Sequence, residues 1–311
     1  MTLMTTDLVK LDVNAPSVAL ARAQQVADEW AGFELEPSTQ RAYRADWAAF
    51  RAWRADLGPC DKDPHALVAL YLAHMASEGL KVSTICRALA AIGAQMLKAG
   101  VEWSPGHPVI RRQLKSIRRR RREKPAKKLP VLAVDLVTFV AGLPSDATMD
   151  RAILTVGWFT ALRRSNIVRI QREHVTFDPR GFELLLPWSK TNQEGDEQRV
   201  AVWAQNNAGV CPVRALRVWL EEAGIASGLV FDVSERYVAR LVQSCAARAG
   251  RDPADFGAHS LRAGLATTAD EKGRGLAAIM RQTLHKSERV ALGYVRPPDL
   301  FEGNVTKDLI D

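Results

Sequence analysis

One junction limits the architectures open to this chain more than any other feature. Between Lys124 and Leu129 the sequence reads KPAKKL. Pro125 removes a backbone donor and interrupts a helix, and the flanking lysines resist burial, as in a linker between domains. Before the junction, from about Pro16 to Glu123, the pattern is helical with few strand signals; after it, helices alternate with a short block of strands. A length of 311 residues suits two cores better than one. The expected organisation is a disordered start over residues 1–15, a helical domain over 16–123, a linker over 124–129 and a second domain over 130–311.

Punctuation at Pro37, Pro59, Pro64, Gly79, Gly100 and Pro105 divides the first domain into short helices. The clearest follows Ser38, a side chain suited to an N-cap. It places Tyr43, Trp47, Phe50, Trp53 and Leu57 at three- and four-residue steps, an apolar stripe flanked by Arg41, Arg44, Arg51 and Arg54. Further helices are expected over Pro64 to Ser77, Ser83 to Lys98 and Pro108 to Glu123. In the second domain Ala133 to Gly142 and Met149 to Val168 read as helices. His174 to Phe177, Phe182 to Trp188 and Arg199 to Trp203 are rich in branched and aromatic residues and read as strands, separated by turn formers at Asp178 to Gly181 and Thr191 to Asp196. Helical pattern resumes after Pro212, with breaks near Gly224 to Gly228 and Gly250 to Gly257. The fold class is mainly α with a small antiparallel β-sheet.

The net charge of +8 is concentrated in one place. Arg111 to Lys128 holds eleven Lys or Arg residues against the single acid Glu123, so the rest of the chain is slightly acidic. Such a block fits a polyanion partner, nucleic acid first, because each neutralised phosphate releases condensed counterions. A solvated linker with excess charge accounts for the same composition. No apolar run approaches the roughly 18 residues needed to span a bilayer, and Met1 to Asn14 lacks the basic and apolar regions of a secretory signal, so a cytoplasmic protein is expected. Cys60, Cys86, Cys211 and Cys245 are scattered, with no C-x-x-C pair, and read as reduced thiols.

Five places in the second domain carry candidate chemistry: TALRRSN (Thr160 to Asn166), SKTNQEG (Ser189 to Gly195), HSLR (His259 to Arg262), LHKS (Leu284 to Ser287), and Tyr294 within LGYVR. Each alone is weak, since a lone Arg in a helix is usually a surface ion-pair residue and a Lys in a hairpin is usually turn decoration. Taken in order and spacing, they resemble the tyrosine recombinase, or phage integrase, family, and Cre-like recombinases within it. That family's signature is an Arg in T-G-L-R-x-S-E, a Lys in a β-hairpin, H-x-x-R, a His or Trp, and a Tyr nine residues later. Arg163, Lys190, His259, Arg262, His285 and Tyr294 fill those places in order. CPVRAL (Cys211 to Leu216) and AHSLRAGLATTA (Ala258 to Ala269) also look like integrase sequence. Asn166 stands where the family usually has an acid, and Ala161 and Leu284 replace common glycines.

The residue types suit the implied reaction. Displacement at a phosphodiester builds charge on the nonbridging oxygens, which fixed cations and donors must meet. Arg163 and Arg262 present planar, permanently charged forks for two such oxygens, and a further hydrogen bond is expected from His285. His259 and Arg262 stand three apart, on one helix face. A phenol of ordinary pKa about 10 needs a base, for which His259 is the candidate. The resemblance implies Lys190 as the acid that protonates the departing 5′ oxygen. It implies a covalent 3′-phosphotyrosine at Tyr294, so that religation needs no ATP, no metal and no cofactor; neither a carboxylate cluster of the two-metal kind nor a phosphate-binding Gly-rich loop stands in the sequence.

The resemblance also implies a C-shaped, two-domain clamp on double-stranded DNA carrying specific recombination sites. Arg118, Arg119, Arg120, Arg121 and Arg122 would supply sequence-blind phosphate affinity. Arg41, Arg44, Ser83, Thr84 and Arg87 match helix positions that face DNA in Cre-like proteins, and Arg236 begins a comparable helix of the second domain. Four protomers would assemble on two sites from a monomer off DNA. Leu300, Phe301, Val305, Leu309 and Ile310 form a stripe for docking on a neighbour or for packing on the protomer's own core. Two other readings share features of the sequence: a type IB topoisomerase, which relaxes supercoils with similar residues, and a DNA-binding regulator that uses the fold without cleaving.

Overall fold

A computed structural model describes residues 36–121, 128–187, 198–285 and 287–293. The chain divides into two compact units, Met1–Pro125 and Ala126–Asp311. The N-terminal start, Arg122, most of the KPAKKL junction, the hairpin carrying Lys190, Tyr294 and the apolar stripe from Leu300 to Ile310 lie outside the described residues.

The first unit contains α1 (Pro37–Asp56), α2 (Pro64–Ser77), α3 (Val82–Lys98) and α4 (Pro108–Arg121). The first helix begins one residue before the expected cap: Glu36 occupies the N-cap without a side-chain bond, Pro37 opens the helix and Ser38 lies inside it. Proline suits that place because its missing N–H would be unpaired there anyway. Phe50 is buried, with Trp47 and Trp53 packed beside it and Tyr71 of α2 edge-on at 5.1 Å. Leu57 falls past the end of α1 and is 47% exposed, so the stripe stops at Trp53. α2 is capped by Asp63, whose carboxylate accepts from Ala66 N–H at 3.1 Å. Leu67, Val68, Ala69, Tyr71, Leu72 and Met75 of this helix are buried. α3 packs against α1 through Ile85, Ala88, Leu89 and Ile92. α4 lies on α2 through Ile110, Leu114 and Ile117. That leaves Arg111, Arg112, Lys115, Arg118, Arg119 and Arg120 exposed on one amphipathic helix.

The second unit runs α5 (Ala133–Ala141), α6 (Thr148–Phe159), α7 (Arg164–Ile167), a 3-10 turn (Arg172–His174), β1 (Val175–Asp178), β2 (Gly181–Leu186), β3 (Gln198–Trp203), α8 (Pro212–Glu222), α9 (Glu235–Arg248), a second 3-10 turn (Pro253–Asp255), α10 (Ala258–Glu271), α11 (Leu276–Thr283) and α12 (Glu288–Leu292). The sheet is antiparallel in the order β1-β2-β3, with Val175 opposite Leu184 and Leu184 opposite Val200. The strands start and stop within about two residues of the expected ones, and His174 belongs to the 3-10 turn.

α6 is buried at every position from Ala152 to Trp158 and packs against both α8 and α10. Burying a side chain such as Ile153 or Leu154 contributes about 2 kcal/mol, and both are fully enclosed. The single helix expected over Met149 to Val168 is in fact two. α6 stops at Phe159, Ala161 takes a left-handed φ of 50°, and α7 starts at Arg164. Apolar periodicity continues across the break because Ala161, Leu162 and Ile167 all return to the core, so a periodicity argument alone cannot see it. Among the described residues no helix is long and apolar enough to cross a membrane.

Candidate active site

The break after α6 is where the site begins. Thr160 ends the helix with its hydroxyl on Val156 O at 2.6 Å, and the left-handed turn at Ala161 aims the next residues away from the helix axis. Arg163 therefore sits in extended backbone at the N-cap of α7, half-buried, at the edge of the core. Asn166, in the place of the family's acid, is buried, and its N–H donates to Arg163 O at 2.8 Å. Arg164 pairs with Glu235 of α9 at 2.8 Å.

α10 supplies the second arginine. Its start is fixed by Gly257 N–H donating to Ser260 Oγ at 3.0 Å, and its flank is held by the segment that follows the inter-unit junction. Leu129 N–H donates to Asp255 O at 2.7 Å and Val131 N–H to Ser260 O at 2.9 Å, while the Trp158 indole donates to Val131 O at 2.7 Å. This approach is so close that a Cβ on Gly264 would stand 1.7 Å from Val131 O. Only glycine allows α10 to reach that segment.

Arg262 is 2% exposed, which for a guanidinium demands that its donors be met. Nη1 donates to Ala161 O at 2.7 Å, and Nη2 lies 2.6 Å from His285 Nε2. Arg262 of α10 thus reaches the turn that sets Arg163 on one side and the residue after α11 on the other. α11 is capped by Leu284, also left-handed with φ 55°, and His285 N–H closes the turn on Met280 O at 3.0 Å. His285 Nδ1 is 2.8 Å from Thr283 Oγ1, and the Thr283 hydroxyl donates to Ile279 O at 2.7 Å. One residue earlier, the Gln282 amide donates to Phe159 O at 2.8 Å and Ala201 O at 3.2 Å, tying α11 to the end of α6 and to β3.

The electrostatics join these parts. Burial, then the charges of Arg262 and Arg163, lower the His285 pKa to about 4. His259 keeps an exposed edge, but the protein beneath its ring withdraws water from one side. That desolvation comes first in lowering its pKa, followed by Arg262, Arg164 and Arg163. Both rings are neutral near pH 7 on this basis, and both feel Arg163 and Arg262. Arg163, His259, Arg262 and His285 are therefore brought together, while Lys190 and Tyr294 lie outside the described residues. Both ring nitrogens of His285 are engaged within the protein. Its Nε2 faces a donor-only guanidinium and accepts, so a bond from Nε2 to a phosphate would first require the ring proton to move. Among the described residues no group of three or more His, Cys, Asp or Glu could hold a metal.

In the first unit Arg41 and Arg44 are exposed on α1, as are Ser83 and Arg87 on α3, with Thr84 half-buried beside them. Arg87 is engaged in a forked pair with Asp46 of α1, at 2.8 and 3.1 Å. Arg118 approaches the Cys86 sulfur at 3.5 Å, Arg121 donates to Ala76 O, and Arg119 and Arg120 face solvent. Arg236 is exposed in the first turn of α9, in the second unit. Sequence reasoning missed Asp46, Gln282, Thr283 and the Ala161 carbonyl. Only Thr283 had a signal, a hydroxyl two residues before a candidate histidine.

No family model matches the chain. A curated protein of Selenomonas ruminantium, the "Integrase/recombinase xerD homolog", is 31% identical over 288 residues, covering 86% of this chain and 84% of that one. Among solved structures, the Tn1549 transposon integrase in complex with transposon right end DNA superposes with a TM-score of 0.63 at 15% identity, over 89% of this chain and 93% of that one. A lambda integrase dimer bound to a COC′ core site gives 0.61 at 17%, over 89% and 76%. The XerH site-specific recombinase bound to difH substrate gives 0.59 at 16%, over 86% and 79%. The structural likenesses establish a shared fold, and the identity sustained along most of both sequences establishes more: the chain belongs to the tyrosine recombinase/integrase family.

Proposed function

We propose that the protein is a site-specific DNA recombinase that cuts and rejoins strands through a 3′-phosphotyrosyl bond at Tyr294, without metal or ATP. The observation that carries this reading is the meeting of Arg163, His259, Arg262 and His285, drawn from three separate stretches of the second unit, around one buried guanidinium. Arg163 and Arg262 bind the nonbridging oxygens of the scissile phosphate. His259, neutral because its pKa is lowered, takes the phenolic proton as the Tyr294 oxygen bonds to phosphorus. The bond from phosphorus to the 5′ oxygen breaks as Lys190 donates a proton to it. Attack by another strand's 5′ hydroxyl reverses these steps and frees the tyrosine.

On this reading the two units form a C-shaped clamp on duplex DNA. The exposed arginines of α4 bind phosphates; Arg41, Arg44, Ser83, Thr84 and Arg87 of the first unit and Arg236 of the second approach the grooves. Monomers assemble into a homotetramer on two sites, in the cytoplasm at the nucleoid. The test incubates the full chain with nicked duplexes carrying candidate sites from its genetic neighbourhood, then maps any peptide left covalently on the 3′ phosphate. Attachment at Tyr294, and its loss in Tyr294→Phe, is the expected result. Attachment at another residue overturns the site assignment, and strand exchange undiminished in Tyr294→Phe overturns the mechanism.

A further inference from the structure

The hydrogen bonds that join His285 to Arg262 and to Thr283 are compatible with one direction only. A guanidinium donates and never accepts, so His285 Nε2, 2.6 Å from Arg262 Nη2, is the acceptor and carries no proton. In a neutral imidazole the proton is then on Nδ1. Nδ1 lies 2.8 Å from Thr283 Oγ1. The threonine hydroxyl sends its single hydrogen to Ile279 O, one helical turn back, at 2.7 Å, which leaves a lone pair to receive Nδ1–H. The chain of bonds from Arg262 through His285 and Thr283 to Ile279 is thus consistent at every link. Arg262, His285 and Thr283 are all buried, so water does not readily replace a missing link.

We infer that Thr283 is a positioning residue: it fixes the Nδ1–H tautomer of His285 and so presents Nε2 as the acceptor that orients the Arg262 fork. The step from orientation to catalysis rests on the recombinase reading. Valine has nearly the shape of threonine without the hydroxyl. In Thr283→Val, Nδ1–H loses its acceptor, or the proton moves to Nε2 and opposes a guanidinium N–H; either outcome loosens Arg262. Gln282 is a separate tie, because its bonds run to backbone carbonyls and touch neither ring nor guanidinium.

Ring-nitrogen NMR of histidine-labelled full-length protein tests the inference without DNA, with the His285 signals assigned by their loss in His285→Gln. The wild type and Thr283→Ser are expected to show a protonated Nδ1 and a bare Nε2 at neutral pH, and Thr283→Val a shift of proton toward Nε2. In the covalent-complex assay Thr283→Ser is expected near the wild-type rate and Thr283→Val about 10- to 100-fold slower, by analogy with the loss when the partner that orients a metal-bound histidine is removed. A protonated Nε2 in the wild type overturns the inference, even if Thr283→Val does not fold. So does a folded Thr283→Val with unchanged His285 signals, or one that reacts as fast as Thr283→Ser. If the tautomer is as stated but no variant joins DNA, the recombinase reading fails and the tautomer assignment stands.

Discussion

Replacing Gly264 by alanine puts the approach of α10 to the junction segment directly to the test. The added carbon would lie 1.7 Å from Val131 O, 2.6 Å from Val131 C and 2.9 Å from the Trp158 indole nitrogen. The first two are backbone atoms, so no side chain can rotate away; α10 and the Leu129–Val131 segment must separate. Separation breaks the bond from Val131 N–H to Ser260 O and that from the Trp158 indole to Val131 O, both in the core. Each contributes about 1 kcal/mol net, and forcing a methyl into a filled space costs about 1–3 kcal/mol more, which gives about 3–5 kcal/mol in all. Gly142→Ala is the control: that residue has φ −79°, and its new carbon would meet nothing closer than Thr138 O at 3.5 Å. It should change stability by less than about 1 kcal/mol. Urea unfolding of the full chain, with amide exchange followed in peptides spanning α10, measures both. A Gly264→Ala protein within about 1 kcal/mol of wild type would refute the close-approach argument, and with it the account of how His259 and Arg262 are held.

The lowered pKa of His285 makes a pH prediction. The unfolded ring titrates near 6.5 and the folded ring near 4, so between those values the unfolded chain binds more protons and stability rises with pH. His285 contributes about 3 kcal/mol that is complete above pH 6.5 and lost as the pH falls to 4; the difference in urea midpoint between wild type and His285→Gln should shrink across that window. Arg87→Ala strands the nine-tenths-buried Asp46 carboxylate and should cost the first unit about 1–2 kcal/mol, with part recovered when Asp46→Asn is added; simple additivity in that double-mutant cycle would contradict the pairing. Replacing Arg118, Arg119 and Arg120 by alanine should weaken binding to unrelated duplexes alike and lower the slope of log affinity against log salt by about 0.9 for each phosphate no longer neutralised. An unchanged slope would remove α4 from the DNA interface.

Much of the helical outline was legible because it depends on local features. Pro64 to Ser77 was readable from a proline start and an unbroken apolar run, and α4 from Ile110, Leu114 and Ile117 at helical spacing beneath arginines. Arg163, Arg262 and the histidines were legible as types in an order, since phosphate chemistry needs those functional groups. Their partners were not. Asp46 meets Arg87 across 41 positions, Gln282 meets Phe159 across 123, and the acceptor for Arg262 is a backbone carbonyl 101 residues away. No side-chain pattern marks a carbonyl, and a glutamine on a helix reads as surface until the fold brings a helix end and a strand to it.

Ala161 and Leu284 show how a departure from a family pattern becomes interpretable. In the sequence each is only a larger residue where relatives often have glycine. In the structure they are the two residues other than glycine with positive φ among those described. A side chain there costs about 1–2 kcal/mol against a right-handed conformation, so the backbone keeps the glycine-like turn although glycine is absent. Both turns stand at the ends of the Arg262 fork: the Ala161 carbonyl accepts from Nη1, and Leu284 turns the chain so that His285 meets Nη2. Backbone strain of this kind persists only where the surrounding structure over-determines it. Burial of Ala161, packing of Leu284 on the core and the buried Arg262 guanidinium supply that constraint. The requirement that one guanidinium be held from two sides therefore accounts for both unusual residues together, where the sequence offered two unrelated anomalies.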